Sequence, residues 1–582
     1  MIKFTIDGRE VTVNKGETIL DGARKIGIDI PTLCYLKEIN EVGACRMCLV
    51  EVEGARGLVT SCVYPATEGM IVRTNTPEIL KSRKITLELL LSNHNKKCLT
   101  CVRNQNCELQ TLARKLGIEN VRFEGEMTPH IKDNSSKCIS RNTSKCILCG
   151  RCVNVCSKVQ TVSAITRVSR GFKTHIGVAE DMNIVDSTCV GCGQCVVNCP
   201  TAALKEKDCI SEVIDAINDS EKMVVVQVAP SIRATIGEEF GMPIGTLVTG
   251  KLVSGLRKSG FDKIFDTDFA ADLTIMEEGT EFVERLNNGG VLPMITSCSS
   301  GWITFVEKFY PDVLDHLSSA KSPMEMMGTV IKKYYAEKVN INPKKIYSVA
   351  VMPCSAKKAE IIRPELKVDG MQMVDAVLTT RELGRMLKML NIDLKEMAEE
   401  EFDNPLGEAT GAGHIFGITG GVMEAALREV NKELTGEKLD DIAFDKLNGS
   451  DGIKEATVDI NGTKVNVAVA QGLGNVRKLL EEIKEGTSKY HIIEAMTCPG
   501  GCIMGGGQPI KTPYEKYKYD IPLLRKKALV TADKEAKYRI SSENTSIQKI
   551  YEEFLGKPNG KKAHELLHTK YHRQNVYVRE VR

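Results

Sequence analysis

The sequence predicts a multidomain chain, α+β in its N-terminal cluster-binding part and α/β beyond about residue 210. Three observations carry this. Cysteines recur at short, ligand-like spacings through the first 210 residues, on segments too small to bury large cores of their own. After residue 210 the composition shifts to long amphipathic helices alternating with buried apolar runs, the pattern of a large α/β domain. Three of those runs, Val291 to Cys298, Ile346 to Cys354 and His491 to Cys498, each end in a cysteine. Short Val/Ile-rich runs between helical patterns read as buried parallel strands, and ligands in such sheets gather beyond the carboxyl ends. The cysteine-tipped parallel strands are therefore expected to meet at one site. A fourth run, Met223 to Val228, leads into Ala229-Pro230-Ser231 and is expected to line the same pocket.

Composition narrows the class. A chain of 582 residues exceeds one hydrophobic core, so three or four domains are expected. Lys and Arg number 78 against 76 Asp and Glu, a net charge of +2 that gives no argument for nucleic acid as a partner. The opening MIKFTIDGRE has the alternation of a strand and none of the parts of a secretory signal, which points to the cytoplasm. In a reducing compartment 21 cysteines read as metal ligands or reactive thiols before disulfides. No apolar run reaches membrane-spanning length, so no membrane association is expected.

The chain opens with a hairpin: Ile2, Phe4 and Ile6 alternate, Asp7-Gly8 turns, and Val11 and Val13 resume. A short helical face follows Thr18, then Cys34, Cys45, Cys48 and Cys62. Four thiols with a central C-x-x-C suit a 2Fe-2S centre, and a structural zinc ion accepts the same set. A helix from Pro77 to Leu91 precedes His94, Cys98, Cys101 and Cys107, one imidazole and three thiolates that hold either zinc or a 4Fe-4S cluster. Cys146, Cys149, Cys152 and Cys156, then Cys189, Cys192, Cys195 and Cys199-Pro200, repeat the two-cluster ferredoxin run, in which each fourth cysteine ligates the other cluster. The two sets are thus Cys146, Cys149, Cys152 and Cys199, and Cys189, Cys192, Cys195 and Cys156. Cys138 and Cys209 lie off the pattern. The expected domains are 1–78, 79–125, 136–209 and 210–582.

The loop Glu494 to Pro509, EAMTCPGGCIMGGGQP, puts two thiols on a glycine-rich turn whose N–H groups can approach sulfide or anionic ligands. With MPCSAKKAE at Met352 to Glu360 and TSCSSGW at Thr296 to Trp302, it resembles the signature loops of the iron-only (FeFe) hydrogenases, the long clostridial type with four accessory clusters. The first two cluster segments are similar to the ferredoxin-like domains of NADH-dehydrogenase iron-sulfur subunits. The resemblance covers nearly the whole chain. It implies reversible reduction of protons to H2 at an H-cluster, a 4Fe-4S cube joined to a di-iron unit bearing CO, cyanide and a bridging dithiolate. Cys354 and Cys498 would hold the cube and Cys502 would join it to the di-iron unit. Lys357 aligns with a cyanide-binding lysine, and Pro230 and Ser231 with donors to the other cyanide. Met352, Met496 and Phe416 would pack around the di-iron unit. The implied proton path runs through Cys298, Glu278, Ser318 and Glu281, with Arg285 near its mouth. Glu278 and Glu281 lie three apart on a helix expected over Asp272 to Asn287, so they share a face.

Two departures stand out. The family's first loop reads T-S-C-C-P-G-W, its first cysteine the proton relay and its second a ligand of the cube, whereas this chain has Ser299 and Ser300 in place of the second cysteine and the proline. Met324 stands where glutamine is usual. Either the Ser299 oxygen replaces the thiolate, or Cys298 becomes the ligand and the relay is lost. The first is preferred because moving Cys298 strands the Glu278 path. Eighteen cysteines and one histidine fall into ligand sets, implying about 20 iron atoms in one 2Fe-2S, three accessory 4Fe-4S and the catalytic cluster. Ferredoxin or a flavin subunit oxidising NAD(P)H, as in an electron-bifurcating complex, is the implied electron partner, and maturation proteins are required. A non-catalytic H2 sensor or an electron-relay subunit is the alternative; the relay reading leaves Cys354, Cys498 and Cys502 without work.

Overall fold

The structure is a computed structural model that describes residues 1–439, 445–446, 452–460 and 462–577; the end of the expected 210–582 domain, residues 578–582, lies outside the described residues. Two compact units divide the chain. The first comprises Met1–Cys189, Gln194–Lys205 and Ile510–Asp520, the second Val190–Gly193, Glu206–Pro509 and Ile521–Arg582.

The first unit opens with the expected hairpin. Strands Ile2–Ile6 and Arg9–Val13 pair antiparallel with Ile2 opposite Val13, and Asp7 and Gly8 both take positive φ, as a tight two-residue turn requires. Ile71–Arg73, Leu49–Val52 and Val59–Thr60 extend this to five strands. The helix Ile19–Lys25 is started by a capping box between Thr18 and Asp21. It lies so close to the sheet that a Cβ on Gly22 would come within 2.6 Å of the Phe4 ring. The helix expected from Pro77 runs over Pro77–Ser92, with Thr76 as its N-cap and proline in its first turn.

The second unit holds two sheets. In one, Lys263–Asp266, Met223–Val228, Ile346–Met352 and Ala376–Thr379 lie side by side, all parallel. In the other, Met294–Ile295, Ile492–Met496 and Thr463–Gln471 are parallel neighbours, and Ile453–Ile460 and Asp445–Lys446 continue the sheet antiparallel. The three cysteine-tipped runs are thus parallel strands, divided between two sheets. The run from Val291 shrinks to the two-residue strand Met294–Ile295. Its partner register is short, and Thr296 donates its N–H to Ile493 before the chain turns away.

The helix expected from Asp272 begins earlier, at Thr267, and runs 22 residues to Asn288 with Asp266 as N-cap. Glu277, Glu278 and Glu281 are buried along it while Glu284 is exposed, so the face is only in part solvated. At its start Arg233 Nη2 meets Asp266 Oδ1 at 2.6 Å and Asp268 Oδ2 at 3.1 Å, and His414 Nδ1 meets the same Asp268 oxygen at 2.6 Å. All three charges of the arginine and its aspartates are buried. This ties the turn Pro230–Ala234 to the helix Thr267–Asn288 and to the short helix Gly411–Ile415. The C-terminal residues form Thr545–Ile550, continued by Tyr551–Leu555, and the helix Lys561–Leu567, on either side of Gly556–Gly560.

Removing one partner of a buried ion cluster leaves the others uncompensated, at a cost of about 3–5 kcal/mol. Arg233→Met is expected to destabilise the second unit by about that amount in denaturant unfolding; a loss below about 1 kcal/mol, the range of an exposed pair, would contradict this reading of the cluster.

Candidate active site and cluster ligands

In the first unit Cys34, Cys45, Cys48 and Cys62 are all buried, and Cys48 and Cys62 sulfurs approach to 3.3 Å. Hydrogen bonding between the thiols raises Cys34 and Cys62 and lowers Cys45 and Cys48. Four thiolates so confined need a positive centre, which is the chemistry iron supplies. Asn40, fully buried, donates to the carbonyls of Cys34 at 2.6 Å and Cys149 at 3.0 Å. It braces two cysteine loops far apart in sequence.

His94 is buried, and its Nδ1 has no hydrogen-bond partner. Burial, helped by Lys145, lowers its pKa to about 4, so the ring is neutral, as a ligand must be. Lys145 Nζ donates to Cys101 Sγ at 3.3 Å. Cys98, Cys101 and Cys107 are half-buried. One cavity is lined by Cys146, Cys149, Cys152 and Cys199, three consecutive members of one run and the fourth of the next. Burial pushes Cys146 and Cys149 up to about 12, and Leu148 donates its N–H to Cys146 Sγ at 3.3 Å. Cys156 accepts the N–H of Ala164 at 3.3 Å. Cys189 and Cys195 belong to the first unit and Cys192 to the second. Among the described residues no three His, Cys, Asp or Glu side chains converge as a single ion would require.

The catalytic cavity lies in the second unit where strands from both sheets end. Its wall is formed by Pro230 and Ser231 after one strand, Met352 and Cys354 at the end of another, Cys298 and Ser299 after Met294–Ile295, and Met496 closing Ile492–Met496. Lys357, Phe416, Met324 and Cys502 complete it. Cys498 is buried two residues beyond Met496, outside the lining. The third loop is a glycine cradle: a Cβ on Gly505 would come within 2.3 Å of the Pro353 carbonyl and one on Gly507 within 2.9 Å of the same group. Gly506 lies so close to the backbone of Cys192 that a Cβ would stand 2.1 Å from its carbonyl oxygen. Gln508 donates to the Cys502 carbonyl at 3.0 Å and to Ser231 Oγ at 3.2 Å, joining two walls. Sulfur donors, an apolar methionine and phenylalanine wall, and glycine backbone in contact range fit an iron–sulfur group with small uncharged and anionic ligands.

Around the cavity the charged groups are paired inward. Lys357 Nζ contacts Glu360 Oε2 at 2.6 Å and donates to the Cys298 carbonyl at 3.2 Å. Burial works against its charge, but Glu360 keeps its pKa above the ordinary lysine value. Glu360 also accepts from the Ser300 and Ser322 hydroxyls. The Cys298 thiol is raised far above the ordinary range, by burial first and then by the nearby Glu278 carboxylate. Glu278 accepts from Ser297 N and Oγ at 3.3 and 3.2 Å through Oε1, while Oε2 is buried without a partner. Burial pushes its pKa up to about 7, the Ser318 hydroxyl opposing. Ser318 Oγ donates to Glu281 Oε2 at 3.2 Å, and Glu281 Oε1 meets Arg285 Nη2 at 2.6 Å. Ser319 adds its N–H and hydroxyl to Glu281 at 3.0 and 3.1 Å. Asn40 and Ser319 lie outside the signature loops and only tertiary contact reveals their roles, whereas Ser297, Glu360 and Gln508 stand within those loops but are not among the predicted site residues.

Comparison with known proteins defines the class. Residues 222–506 match the iron-only hydrogenase large subunit, C-terminal domain, and 519–574 the iron hydrogenase small subunit. Residues 1–77 match a 2Fe-2S iron-sulfur cluster binding domain, 83–122 the NADH-ubiquinone oxidoreductase-G iron-sulfur binding region, and 145–203 a 4Fe-4S dicluster domain. The chain belongs to the iron-only (FeFe) hydrogenases, oxidoreductases that act on H2 at an H-cluster. It is 47% identical to the NADP-reducing hydrogenase subunit HndD of Solidesulfovibrio fructosivorans over 98% of this chain and 99% of that one. It is 44% identical to iron hydrogenase 1 of Clostridium pasteurianum over 98% and 100%. The FeFe-hydrogenase HydA1 of Chlamydomonas reinhardtii superposes with a TM-score of 0.58 at 40% identity, covering 64% of this chain and all of that one. Among the described residues no helix is long and apolar enough to cross a membrane.

Because the folded pKa of Glu278 is raised from 4.5 to about 7, the stability it confers is present below the unfolded value and lost as pH rises through the folded one. Glu278→Gln removes that titration. Its apparent unfolding temperature relative to the unsubstituted protein should therefore rise between pH 5 and pH 8; a difference that stays flat across that window would show an unperturbed carboxyl.

Proposed function

We propose that this chain catalyses reversible H2 oxidation and proton reduction with a proton path from Cys298 through Glu278, Ser318 and Glu281 to the surface near Arg285. The H-cluster supplies the iron chemistry of making and breaking the H–H bond. Cys354, Cys498 and Cys502, with Ser299 at the remaining corner, would hold its cube, and Cys502 would also join the cube to the di-iron unit. Lys357, Pro230 and Ser231 would face its cyanides, and Met352, Met496 and Phe416 would exclude water from it. The observation that carries the path is Glu278 Oε2, a buried carboxylate oxygen with no partner, on a carboxyl group near enough to Cys298 to raise its thiol. An acid held near pH 7 can both take a proton from one side and give it to the other. The Ser318 hydroxyl then hands it to Glu281, whose salt bridge to Arg285 ends the buried segment.

Electrons would enter by the accessory clusters: a 2Fe-2S centre on Cys34, Cys45, Cys48 and Cys62, and 4Fe-4S centres on His94, Cys98, Cys101 and Cys107, on Cys146, Cys149, Cys152 and Cys199, and on Cys189, Cys192, Cys195 and Cys156. The likeness to an NADP-reducing hydrogenase subunit supports a separate flavin-bearing chain that handles NAD(P)H, and ferredoxin is the second electron partner consistent with the cluster domains. Maturation proteins would install the di-iron unit.

Two outcomes test this reading. Glu281→Gln keeps shape but removes a titratable group, so H2 turnover should fall about 10²-fold with cluster content unchanged; near-normal turnover would remove Glu281 from the path. The purified chain alone should evolve no H2 from NADH, and should do so with a reduced dye. NADH-driven evolution by the single chain would overturn the need for a flavin partner.

A further inference from the structure

Ser299 is the N-cap of the ten-residue helix Ser300–Phe309, yet its hydroxyl makes none of the bonds to the first-turn N–H groups that favour serine at that position. Ser299 instead lines the cavity that Cys354 and Cys502 also line. There it is met by one residue of the third loop: Thr497 Oγ1 stands 2.7 Å from Ser299 Oγ, and Thr497 N donates to the same oxygen at 3.3 Å. Thr497 is placed between Met496, on the cavity wall, and Cys498. Its approach depends on Gly301, where a Cβ would come within 2.9 Å of Thr497 Cγ2 and 3.0 Å of Thr497 Oγ1.

We propose that Thr497 is the positioning residue that makes Ser299 serviceable as the oxygen ligand of the cube, by directing its backbone N–H and its hydroxyl onto Ser299 Oγ. This rests on the reading of Ser299 as the fourth ligand. An oxygen ligand is harder than thiolate and less well matched to an iron–sulfur cube, so its bond gains more from outside support. An oxygen bound to iron only accepts hydrogen bonds. Thr497 can donate both, because its hydroxyl is free to rotate and the 2.7 Å contact serves with either atom as donor. Hydrogen bonds to a charged acceptor are the shorter and stronger kind, and the positive end of the helix Ser300–Phe309 adds to them. Hydrogen-bond partners behind a metal ligand orient it and typically govern metal affinity by 10–100-fold. The Ser299 rotamer is set from outside the cluster, since the cap bond that would turn the hydroxyl toward its own helix is not made.

The test uses the fully matured full-length protein and reads iron retention against a chelator together with the infrared CO and cyanide bands. Thr497→Val keeps the methyl contact with Gly301 and removes the hydroxyl. It should lose catalytic-cluster iron about tenfold faster than the unsubstituted protein and shift the bands, while Thr497→Ser restores both. In a Ser299→Cys background the same Thr497→Val change should have little effect, because a thiolate is itself the preferred donor. Equal iron loss and unchanged bands in Thr497→Val overturn the proposal, and so does an equally large effect in the Ser299→Cys background, which would make Thr497 a packing residue only. Ser299→Ala separates the two levels. If it holds iron and band positions unchanged, the serine is not a ligand and both readings fall. If it loses the cluster iron while Thr497→Val does not, the ligand stands and the positioning role falls.

Discussion

The catalytic unit depends on one buried guanidinium. Arg233 sits two residues beyond the Ala229–Ser231 wall of the cavity, and its bonds to Asp266 and Asp268 fix that wall to the first turn of the helix that carries Glu278 and Glu281. Neither aspartate could be buried at a helix start without the positive charge between them, even with the favourable dipole there. His414 joins from the other side of Asp268, and Gly413 and Gly417 bring their backbone close to Asp268 and Ser231, where side chains would collide. The turn after Met223–Val228, on the cavity wall, and the helix bearing Glu278 and Glu281 are thus joined through one buried ion cluster.

Much of the chemistry was legible in the sequence because it is local. The spacing of a cysteine run acts within a few positions, and the exchange of fourth cysteines belongs to the two-cluster run pattern itself; the cavity lined by Cys146, Cys149, Cys152 and Cys199 has that composition. The hairpin at Asp7-Gly8 and the helix after Thr76 were readable for the same reason, since turn and cap residues act within a few positions. The glutamates of the helix Thr267–Asn288 were not readable from periodicity. Polar residues at helical spacing look solvated until another layer covers them, and here the C-terminal segment does so: Tyr551 and His568 both bond Glu277.

What the sequence could not show is how separate strands combine. Three apolar runs ending in cysteine suggest a common edge, but pairing is decided by partners distant in the chain, and the runs fall into two sheets whose strand ends face one cavity. The contacts of Gln508, Glu360 and Thr497 were invisible for a related reason. Each stands in a loop that the sequence marks, but it is an ordinary polar residue, and which distant atom it reaches is decided only by the fold. The Ser299 substitution was visible as a letter, whereas its hydrogen-bonding company was not.

The contact of Gly506 with the Cys192 carbonyl carries one further consequence. The loop of Cys192 and the glycine loop after Cys502 meet main chain to main chain here: a Cβ on Gly506 would stand 2.7 Å from Gly193 Cα, and one on Gly193 3.0 Å from Gly506 Cα. The separation of the two loops at that point is therefore fixed by peptide thickness. Side-chain drift elsewhere in the cavity leaves that separation untouched, because steric contact confines both Gly506 and the facing Gly193 to glycine.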